Sequence, residues 1–545
     1  MTEILKKLLE RRGVKDFDAF LNPSLEHLQS PTSLPGIKEA SEAMLPFITR
    51  REKIVVFGDY DCDGICATAI LVRVLKALKA NVVAFLPRRL DEGYGMTDKS
   101  VKRLLDEHPD VKLVVTVDNG INSIGQIDYL KSKSIDVVVT DHHLPGESLP
   151  RCISVNPKVA SPPELADICG AGVAYLLAQE IVLSARKTGL YSGPKLGGPL
   201  IVLAGLATVT DIMPLLGYNR ALVSNALKHF GEWAPQGLKK LLDVAMRKPV
   251  NSLNSRHFGF MLGPRINADG RMAEGLDALN LVLSDDADES YLFAQKVDDK
   301  NRERKDKEQA MTDEALSKIV PDAPAQVIEL DEGHKGVVGI VASRVLEHLR
   351  RRVPVCVIAQ HHGSARSPEG VNIRDAFDAC KEHLTNFGGH AAAGGFSVLP
   401  GHIDLFREAL CRYAGNFVSD DQISDVSKSA ELVLSKDDVT SELADEIQRL
   451  EPFGEGNPEP VFLFSNPKIE QVGTFCEGKH LSAMVNSIRA VWWNHGREIE
   501  KFAAASTGEK NILFTIEKTF YKETPEVELR IQNYFESSKQ ADIMI

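Results

Sequence analysis

The feature that most constrains the fold is an alternation of short β-branched runs with longer amphipathic runs, which begins near residue 53. The runs KIVVF, NVVAFLP, KLVVTV and IDVVVT predict buried strands, and helix-like runs separate them. Such an order is typical of a parallel sheet with crossover helices. A second alternation runs from AQVIEL through VVGIVASRVLEHL to VPVCVIA, followed by a helix and a Gly-rich loop. We therefore expect two α/β domains, the second smaller than the first.

The remainder of the chain has two other patterns. Residues 170–320 are mainly helical in pattern, and VDDKNRERKDKEQAMTDEALSKIV predicts one long exposed helix that joins two bodies. Beyond residue 416, short strand-like pieces such as PVFLF, RAVWWN and VELRIQNYF are separated by turns. That spacing predicts a small C-terminal β-barrel.

Length and composition exclude several classes of protein. A chain of 545 residues exceeds what one hydrophobic core organises, so about three domains are expected. The net charge of −12 argues against a general positive surface for nucleic acid, but a local basic groove is compatible with it. The start of the chain lacks a secretory pattern and no stretch is apolar enough for a membrane span, so we expect a cytoplasmic protein. The 8 cysteines lack zinc-ribbon or disulfide-scaffold spacing.

Carboxylates follow three of the predicted strands at the point where each strand ends. The groups are Asp59, Asp61 and Asp63 after KIVVF, Asp118 after KLVVTV, and Asp141, His142 and His143 after VVVT. In an open parallel sheet these ends meet at one crevice, so the side chains should converge there. Converging carboxylates repel one another unless cations hold them, and mixed oxygen and imidazole donors suit Mn²⁺ or Mg²⁺.

The spacing of these residues indicates phosphoester hydrolysis. Asp61 and Asp63 are two apart and can reach neighbouring ions, and two ions about 3.5–4 Å apart serve in-line displacement at phosphorus. The adjacent His142 and His143 cannot both point the same way, so one is a ligand and the other contacts substrate. A single aspartate at a strand end is more often a turn former or helix cap, but three strand ends share the pattern. Receiver-type domains also cluster acids at strand ends, without a tandem histidine.

Several motifs resemble a known family in order and spacing. Asp-Tyr-Asp-Cys-Asp-Gly, Val-Asp-Asn-Gly, Asp-His-His and Thr-Asp-Ile-Met-Pro resemble the DHH phosphoesterase superfamily. Five further motifs, spread to the C-terminal region, are similar to those of the bacterial RecJ single-stranded DNA exonuclease family: GPRINADGR, VGIVASR, GSARS, GGHAAAGGF and PFGEGNPEP. This resemblance spans nearly the whole chain.

The resemblance implies a function and a domain plan. It implies a 5′-to-3′ exonuclease that releases 5′-mononucleotides from single-stranded DNA by two-metal hydrolysis with Mn²⁺ or Mg²⁺, in DNA repair and recombination. A RecQ-type helicase and a single-strand binding protein are the implied partners. The implied domains are an N-terminal helical segment (1–50), the DHH catalytic domain (51–275), connecting helices (276–322), the DHH-associated α/β domain (323–416) and an OB-fold (430–538).

The resemblance also implies roles for individual residues. The metal ligands would be Asp59, Asp61, Asp63, Asp118 (bridging), His142 and Asp211. Relatives often carry a histidine where Phe57 stands, so Asp59 or water would fill that position. His143 and Asp118 would be catalytic, with His143 on the scissile phosphate and Asp141 orienting the histidines. Substrate would contact Arg89, Arg265, Arg271, Ser364, Arg366 and His390.

Some of these positions have a purely structural interpretation. Arg265 and Arg271 are each explained as well by a structural salt bridge, and the charged run after Val297 is usually a solvated helical face, although Asn301, Arg302 and Arg304 are candidates for a strand-binding groove. The C-terminal aromatics are expected to be mostly core, with one of two tryptophans exposed for base stacking: Trp492, Trp493, Phe514, Phe520 and Tyr521.

Two other functions fit parts of the sequence. A nanoRNase or cyclic-dinucleotide phosphodiesterase of the same superfamily would need neither the helical insert nor the terminal barrel. A non-catalytic DNA-binding scaffold would not need the full set of carboxylates and histidines.

Overall fold

A computed structural model describes residues 1–28, 30–89, 91–194, 196–246, 252–350, 352–417, 430–505, 510–519 and 526–536. The chain divides into two compact units. The smaller unit comprises Met1–Leu28, Pro214–Asn225 and Ser424–Ile545, and the larger unit comprises Gln29–Met213 and Ala226–Ile423. No helix within the described ranges combines the length and apolar character that crossing a membrane requires.

The described ranges contain helices and strands throughout. The helices are α1 (Glu3–Arg11), α2 (Phe17–Leu21), α3 (Ile37–Arg50), α4 (Cys62–Ala77), α5 (Asp98–Glu107), α6 (Ile124–Ser132), α7 (Gly170–Lys187), α8 (Gly197–Thr210), α9 (Gly217–Lys228), α10 (Phe230–Trp233), α11 (Gln236–Ala245), α12 (Ser255–His257), α13 (Gly263–Met272), α14 (Leu276–Leu283), α15 (Ala287–Ser317), α16 (Val338–His348), α17 (Ile373–Ala379), α18 (Ile403–Ala414), α19 (Ser441–Gln448) and α20 (Ile499–Ala505). The strands are β1 (Lys53–Phe57), β2 (Val82–Phe85), β3 (Val111–Val117), β4 (Asp136–Thr140), β5 (Ile153–Val155), β6 (Gln326–Glu329), β7 (Val355–Ala359), β8 (His362–Arg366), β9 (Leu384–Gly389), β10 (Ala393–Val398), β11 (Leu432–Val433), β12 (Phe462–Ser465), β13 (Ile469–Phe475), β14 (His480–Val485), β15 (Ile488–Trp492), β16 (Lys510–Thr519) and β17 (Glu526–Glu536).

The larger unit contains the predicted parallel sheet. Its strand order is β2-β1-β3-β4-β5, and all four neighbouring pairs are parallel. The strands are β-branched and nearly continuously apolar because both sheet faces are covered. Phe57 is level with Thr116, and Val117 is level with Thr140, so β1, β3 and β4 end together. The expected parallel sheet is confirmed, and its shared edge carries the acidic loops.

The long charged helix is present as α15, which has 31 residues and starts ten residues before the predicted stretch. Asp286 caps its N-terminus by accepting hydrogen bonds from the backbone N–H groups of residues 288 and 289. The prediction of an exposed helix was wrong for one of its faces, because Val297, Asn301 and Arg304 are buried. Packing against α11, α13, α14 and α16 explains that burial.

A second sheet of the larger unit has the order β6-β7-β8-β10-β9. Strands β6 and β7 are parallel, and the other pairs are antiparallel. The expectation of a Gly-rich loop was too simple, because the glycines belong to the hairpin of the paired strands β9 and β10. Glycine is common in loops, so the composition of this segment indicated a loop although the segment forms two paired strands.

The smaller unit contains a seven-stranded, mostly antiparallel sheet in the order β11-β12-β16-β17-β15-β14-β13. Its core includes Phe462 and Phe514 of the sheet together with three leucines of α1 at positions 5, 8 and 9. The buried Arg220 guanidinium donates hydrogen bonds to the backbone carbonyls of Phe20, Leu450 and residues 449 and 451. The predicted C-terminal β domain is therefore present and includes two segments from elsewhere in the chain.

Candidate active site

The predicted metal-binding side chains converge at the shared edge of the parallel sheet. Three groups of side chains each bring their ligand atoms within 4.8 Å of one another: Asp59, Asp61 and Asp118; Asp63, His142 and Asp211; and Asp118, His142 and His143. Asp118 and His142 each belong to two groups. The three groups thus overlap through Asp118 and His142 and form one continuous cluster of possible metal-ligating atoms.

The loop that follows β1 is held by main-chain contacts. Asp61 caps α4, because its Oδ1 accepts a hydrogen bond from the Gly64 N–H at 3.0 Å. A Cβ on Gly64 would lie 2.6 Å from the Asp59 nitrogen, so only glycine permits the loop to close on the helix. The Cys62 N–H donates to Asn267 Oδ1 at 2.7 Å. The capping interpretation of Asp61 and the ligand interpretation are therefore compatible.

The N-terminus of α7 orients a second carboxylate. Asp63 accepts hydrogen bonds from the backbone N–H groups of Gly170 and Ala171, both at 2.7 Å. A Cβ on Gly170 would lie 2.7 Å from Asp118 Oδ1. Sequence reasoning missed Gly170 and Asn267. The available signals were a Gly-Ala-Gly opening to an apolar helix and an asparagine inside GPRINADGR.

Several buried oxygens in this cluster lack a hydrogen-bond partner among the described residues. They are both carboxylate oxygens of Asp59, Oδ1 of Asp118 and Oδ2 of Asp211, of which the last two lie 3.1 and 3.5 Å from His142 Nε2 without hydrogen-bond geometry. Burial and the charge of Asp63 raise the pKa of Asp118, and the same causes raise the pKa of Asp211 to about 8. Burial followed by the charge of Asp61 raises the pKa of Asp59. Buried, mutually repelling and unpartnered carboxylates fit divalent cations.

Phe57 does not point into this cluster. It lies in an apolar core with Val55 and Phe85, and the Phe57 and Phe85 ring centroids are 5.2 Å apart. Asp59 is the residue of this loop that joins Asp61 and Asp118. The possible metal-ligating side chains of the group formed by Asp59, Asp61 and Asp118 are consequently all carboxylates.

Asp141 contacts both histidines, but their surroundings shift the two pKa values in opposite directions. Asp141 Oδ1 accepts from the His142 and His143 N–H groups and from His143 Nδ1, the last at 2.7 Å, and Oδ2 accepts from the Ile121 N–H. Burial lowers the pKa of His142, whose Nε2 lies 3.1 Å from Asp118 Oδ1. Burial opposes the charge of His143, but its contact with Asp141 raises its pKa to about 9. A neutral His142 suits a metal ligand, and a charged His143 suits an anion.

The side chain of His143 also contacts an aromatic residue. The Tyr94 hydroxyl lies 3.0 Å from His143 Nε2 and donates to the Asp118 carbonyl at 3.3 Å. His143 is 41% exposed, in contrast with the buried His142. Its position between Asp141 and open solvent leaves it accessible to substrate. Tyr94 was not identified from the sequence, although it lies in the glycine-flanked Glu-Gly-Tyr-Gly.

A cationic cluster forms a second part of the site. Arg366 donates from Nε to Ser343 Oγ at 3.1 Å and from Nη1 to Ser364 Oγ at 3.0 Å, and Arg271 donates to the Gly336 carbonyl. Burial followed by the charge of Arg89 lowers the pKa of Arg366, and the same causes lower that of Arg271 to about 10. Cations that face one another while hydrogen-bonded to neutral groups fit an anionic ligand.

Gly339 allows the close packing of this cluster. A Cβ at Gly339 would lie 3.0 Å from Arg366 Nη2 and 3.1 Å from Ser364 Oγ. Gly339 lies in the first turn of α16, so the guanidinium and hydroxyl rest against the start of that helix. Neither Gly339 nor Ser343 was singled out from the sequence, although both lie in VGIVASR.

Other predicted substrate contacts lie in different surroundings. Arg265 donates from Nε to Asp298 Oδ1 at 2.8 Å and from Nη1 to the Met261 carbonyl, which is the structural salt bridge considered above. The side chain of His390 is exposed at the turn between β9 and β10, and its N–H donates to the Ala393 carbonyl. Asn301 is buried and accepts from Arg304, so these two side chains support the helix.

Among the aromatics of the smaller unit, Trp493 is 38% exposed, and the Arg530 guanidinium lies 4.9 Å from its ring centroid. Trp492 stacks on His495, and Phe514 is buried in the core. The last two candidates, Phe520 and Tyr521, lie outside the described residues. The arrangement agrees with a mainly structural role for these rings and one exposed tryptophan.

Comparison with known proteins gives matches over most of the chain. Family models match as the DHH family N-terminal domain (53–196), the DHHA1 domain (322–416) and the RecJ OB domain (430–533). The single-stranded-DNA-specific exonuclease RecJ of Thermus thermophilus is 36% identical, with 86% of this chain and 68% of that protein covered. RecJ of Dickeya dadantii is 34% identical, with 84% and 83% covered. RecJ of Bacillus subtilis is 31% identical with 87% of this chain covered, and the chain spans 60% of its length.

Solved structures give the same result. The crystal structure of RecJ from Thermus thermophilus in complex with Mn²⁺ matches with a TM-score of 0.83 and 30% identity, covering 98% of this chain and 76% of that one. A RecJ structure in complex with Mg²⁺ from the same organism has a TM-score of 0.77 and 28% identity, covering 98% and 74%.

Proposed function

The chain belongs to the RecJ family of single-stranded-DNA-specific exonucleases, and we propose from this premise that it removes 5′-mononucleotides from single-stranded DNA in the 5′-to-3′ direction. It is a metal-dependent phosphodiesterase that uses Mn²⁺ or Mg²⁺. The observation that carries the proposal is a cluster of buried, unpartnered carboxylates beside a charged histidine and a separate arginine cluster.

Each part of the site contributes to hydrolysis in a distinct way. Divalent ions supply, when bound, a lowered pKa of water and neutralisation of charge at phosphorus. Asp59, Asp61 and Asp118 would hold one ion, and Asp63, His142 and Asp211 the other. His143, oriented through Nδ1 by Asp141, would place a positive charge on the scissile phosphate and donate a proton toward the departing oxygen.

The direction of digestion rests on the arginine cluster. Arg89, Arg271 and Arg366, with Ser364, would bind the 5′-terminal phosphate, because planar guanidinium groups donate paired hydrogen bonds to phosphate oxygens. Arg265, which is engaged by Asp298, would support this cluster through the packing of α13 and α15. His390 would contact the strand from the β9–β10 turn, where neighbouring glycines permit close approach to a phosphate.

A strand labelled at either end tests this proposal. With Mn²⁺, a 5′-phosphorylated strand labelled at its 5′ end should release labelled mononucleotide at once, whereas a 3′ label should stay in long products. Arg366→Lys should slow digestion of the 5′-phosphorylated strand more than that of a 5′-hydroxyl strand, because lysine lacks the planar fork. Mononucleotides released first from the 3′ end, or hydrolysis confined to dinucleotides, would contradict the proposal.

We also propose a cellular setting for this activity. We place the enzyme in the cytoplasm, in DNA repair and recombination, where a RecQ-type helicase would supply single strands and a single-strand binding protein would cover them.

In the smaller unit, Trp493 and Arg530 offer one face for stacking with bases.

A further inference from the structure

Two large apolar side chains are exposed at the C-terminal end of α8. Ile212 is 69% exposed and directly follows Asp211, a member of the second metal group. Phe260 is 78% exposed, which is the highest value among the large apolar side chains of the described residues. Single exposed apolar side chains are common on proteins, but a continuous apolar surface can mark a ligand-binding groove.

The backbone of Ile212 is strained as well as exposed. Its φ angle is +57°, in the left-handed region that a β-branched residue rarely adopts. Glycine or asparagine would adopt this φ more easily, and a polar residue would be better solvated. Isoleucine at this position therefore raises the free energy of the folded state through its backbone strain and its exposed apolar surface. No burial of the side chain offsets that cost. Strained residues of this kind cluster at functional sites.

The backbone on both sides of Phe260 packs against α8. Phe260 lies in a π-helical turn, Phe258–Leu262, a geometry that recurs at functional sites. A Cβ on Gly259 would lie 3.4 Å from Val209 Cγ1, and a Cβ on Gly263 would lie 2.1 Å from Thr210 Cγ2. Gly259 within the turn and Gly263 directly after it thus pack against the last residues of α8, immediately before Asp211.

We propose that Ile212 and Phe260 form an apolar contact surface for the bases of the DNA strand beside the scissile phosphodiester. This inference rests on the proposed function and names the residues that hold the base once the phosphate is at the metal centre. An aromatic ring and an aliphatic side chain contact any base through its π face, so the surface is indifferent to sequence. Ile212 directly follows Asp211, which belongs to the candidate metal site. The molecule that contacts this apolar surface is therefore the substrate strand.

Three substitutions test the contact: Ile212→Gly, Ile212→Asn and Phe260→Ala. Ile212→Gly should melt at the same or a higher temperature than the parent, because glycine relieves the positive φ. It should nevertheless lower kcat/KM on 5′-phosphorylated single-stranded DNA by about tenfold, the scale of one stacking contact. Phe260→Ala should lower kcat/KM by a similar factor. Tyr129→Ala, at an exposed aromatic of α6, is the matched control and should behave as the parent.

Abasic substrates separate a base contact from a general loss of activity. An abasic nucleotide is placed in turn at the first, second and third positions of the strand. In the parent, at least one position should lower kcat/KM by about tenfold, and that penalty should shrink toward onefold in Ile212→Gly and Phe260→Ala.

The outcomes distinguish this inference from the proposed function. If the parent digests single-stranded DNA and all three variants equal it, the contact surface is overturned. Equal abasic penalties in parent and variants also overturn it, because the lost activity then has another cause. A parent that does not hydrolyse single-stranded DNA contradicts the proposed function itself. Ile212→Asn keeps the test decisive if Phe260→Ala fails to fold, since asparagine tolerates the left-handed region.

Discussion

At the scale of single residues, Asp118 combines the most constraints in the site. It is buried, lies beside two histidines and two other carboxylates, and has a φ of +62°. Aspartate and asparagine tolerate that backbone region better than other non-glycine residues. The position thus requires a short carboxylate or amide for its backbone and a charge for its ligand role.

Asp118→Asn should separate these two requirements. The metal-free variant should unfold at the same or a higher temperature than the parent, because one member of a repelling carboxylate cluster becomes neutral. Mn²⁺ at 100 times its Kd should stabilise the parent by about 2.7 kcal/mol. In the variant that gain should disappear together with nuclease activity. Thermal melts with and without Mn²⁺ measure both effects.

Asp118→Ala serves as the backbone control for this experiment. It should lose about 1 kcal/mol of metal-free stability relative to Asp118→Asn, because alanine is strained at positive φ. An Asp118→Asn protein that is still stabilised by Mn²⁺ and still active would refute the ligand assignment.

At the scale of elements, α13, α14 and α15 are joined by one partly buried cation. Lys300 of α15 lies 2.6 Å from Asp269 of α13 and 2.6 Å from Asp277 of α14. Asp269 is fully buried and also accepts a hydrogen bond from the Ala278 N–H. Because α13 carries both Asn267 and Arg271, this cation holds the helix that contacts the metal loop and the phosphate cluster.

Lys300→Met should destabilise the larger unit by about 3 kcal/mol, since it leaves the Asp269 carboxylate buried without its cation. Lys296→Met is the matched control, because Lys296 is exposed and lies 3.5 Å from Asp277; it should cost well under about 1 kcal/mol. Urea titrations of both variants measure the difference. Equal losses of unfolding free energy in the two variants would show that the burial of Asp269 does not decide how much the ion pair stabilises the unit.

The stability that the ion pair of Lys300 and Asp277 contributes should depend on pH in a definite direction. Burial opposes both charges, but their mutual hydrogen bonds raise the pKa of Lys300 and lower the pKa of Asp277. The contribution of Lys300 is lost only as pH rises through its raised pKa, and that of Asp277 only as pH falls through its lowered pKa. The stability gap between parent and Lys300→Met should be constant from about pH 5 to 9 and narrow below about pH 4.

At the scale of the whole molecule, the smaller unit is discontinuous in sequence. Its apolar core combines leucines 5, 8 and 9 of α1 with the C-terminal sheet, and Arg220 reaches backbone carbonyls in both terminal segments. Truncation of the chain at residue 417, between the domains that the family models match, would therefore divide a single hydrophobic core.

A chain that ends at Phe417 should be largely insoluble or bind hydrophobic dyes, because each of three leucines loses about 1.5–3 kcal/mol of burial. Removing residues 1–28 as well should raise its soluble fraction, since the exposed leucines leave with them. The soluble fraction and dye fluorescence of the two truncated chains are compared with the full chain. A Phe417-terminated chain as soluble as the full chain would show that α1 does not depend on the sheet.

The sequence by itself determined the parallel sheet and the carboxylates and histidines that follow β1, β3 and β4, because strand periodicity is local and parallel strands end at a common side. It also indicated that Arg265 and Arg271 had two interpretations, without deciding between them. Tertiary structure decided that Arg265 pairs with Asp298, that the Gly170 and Ala171 amides hold Asp63, that one face of α15 is buried, and that α1 packs with the C-terminal sheet. These features join segments far apart in the chain, and no local periodicity or spacing encodes which of them meet.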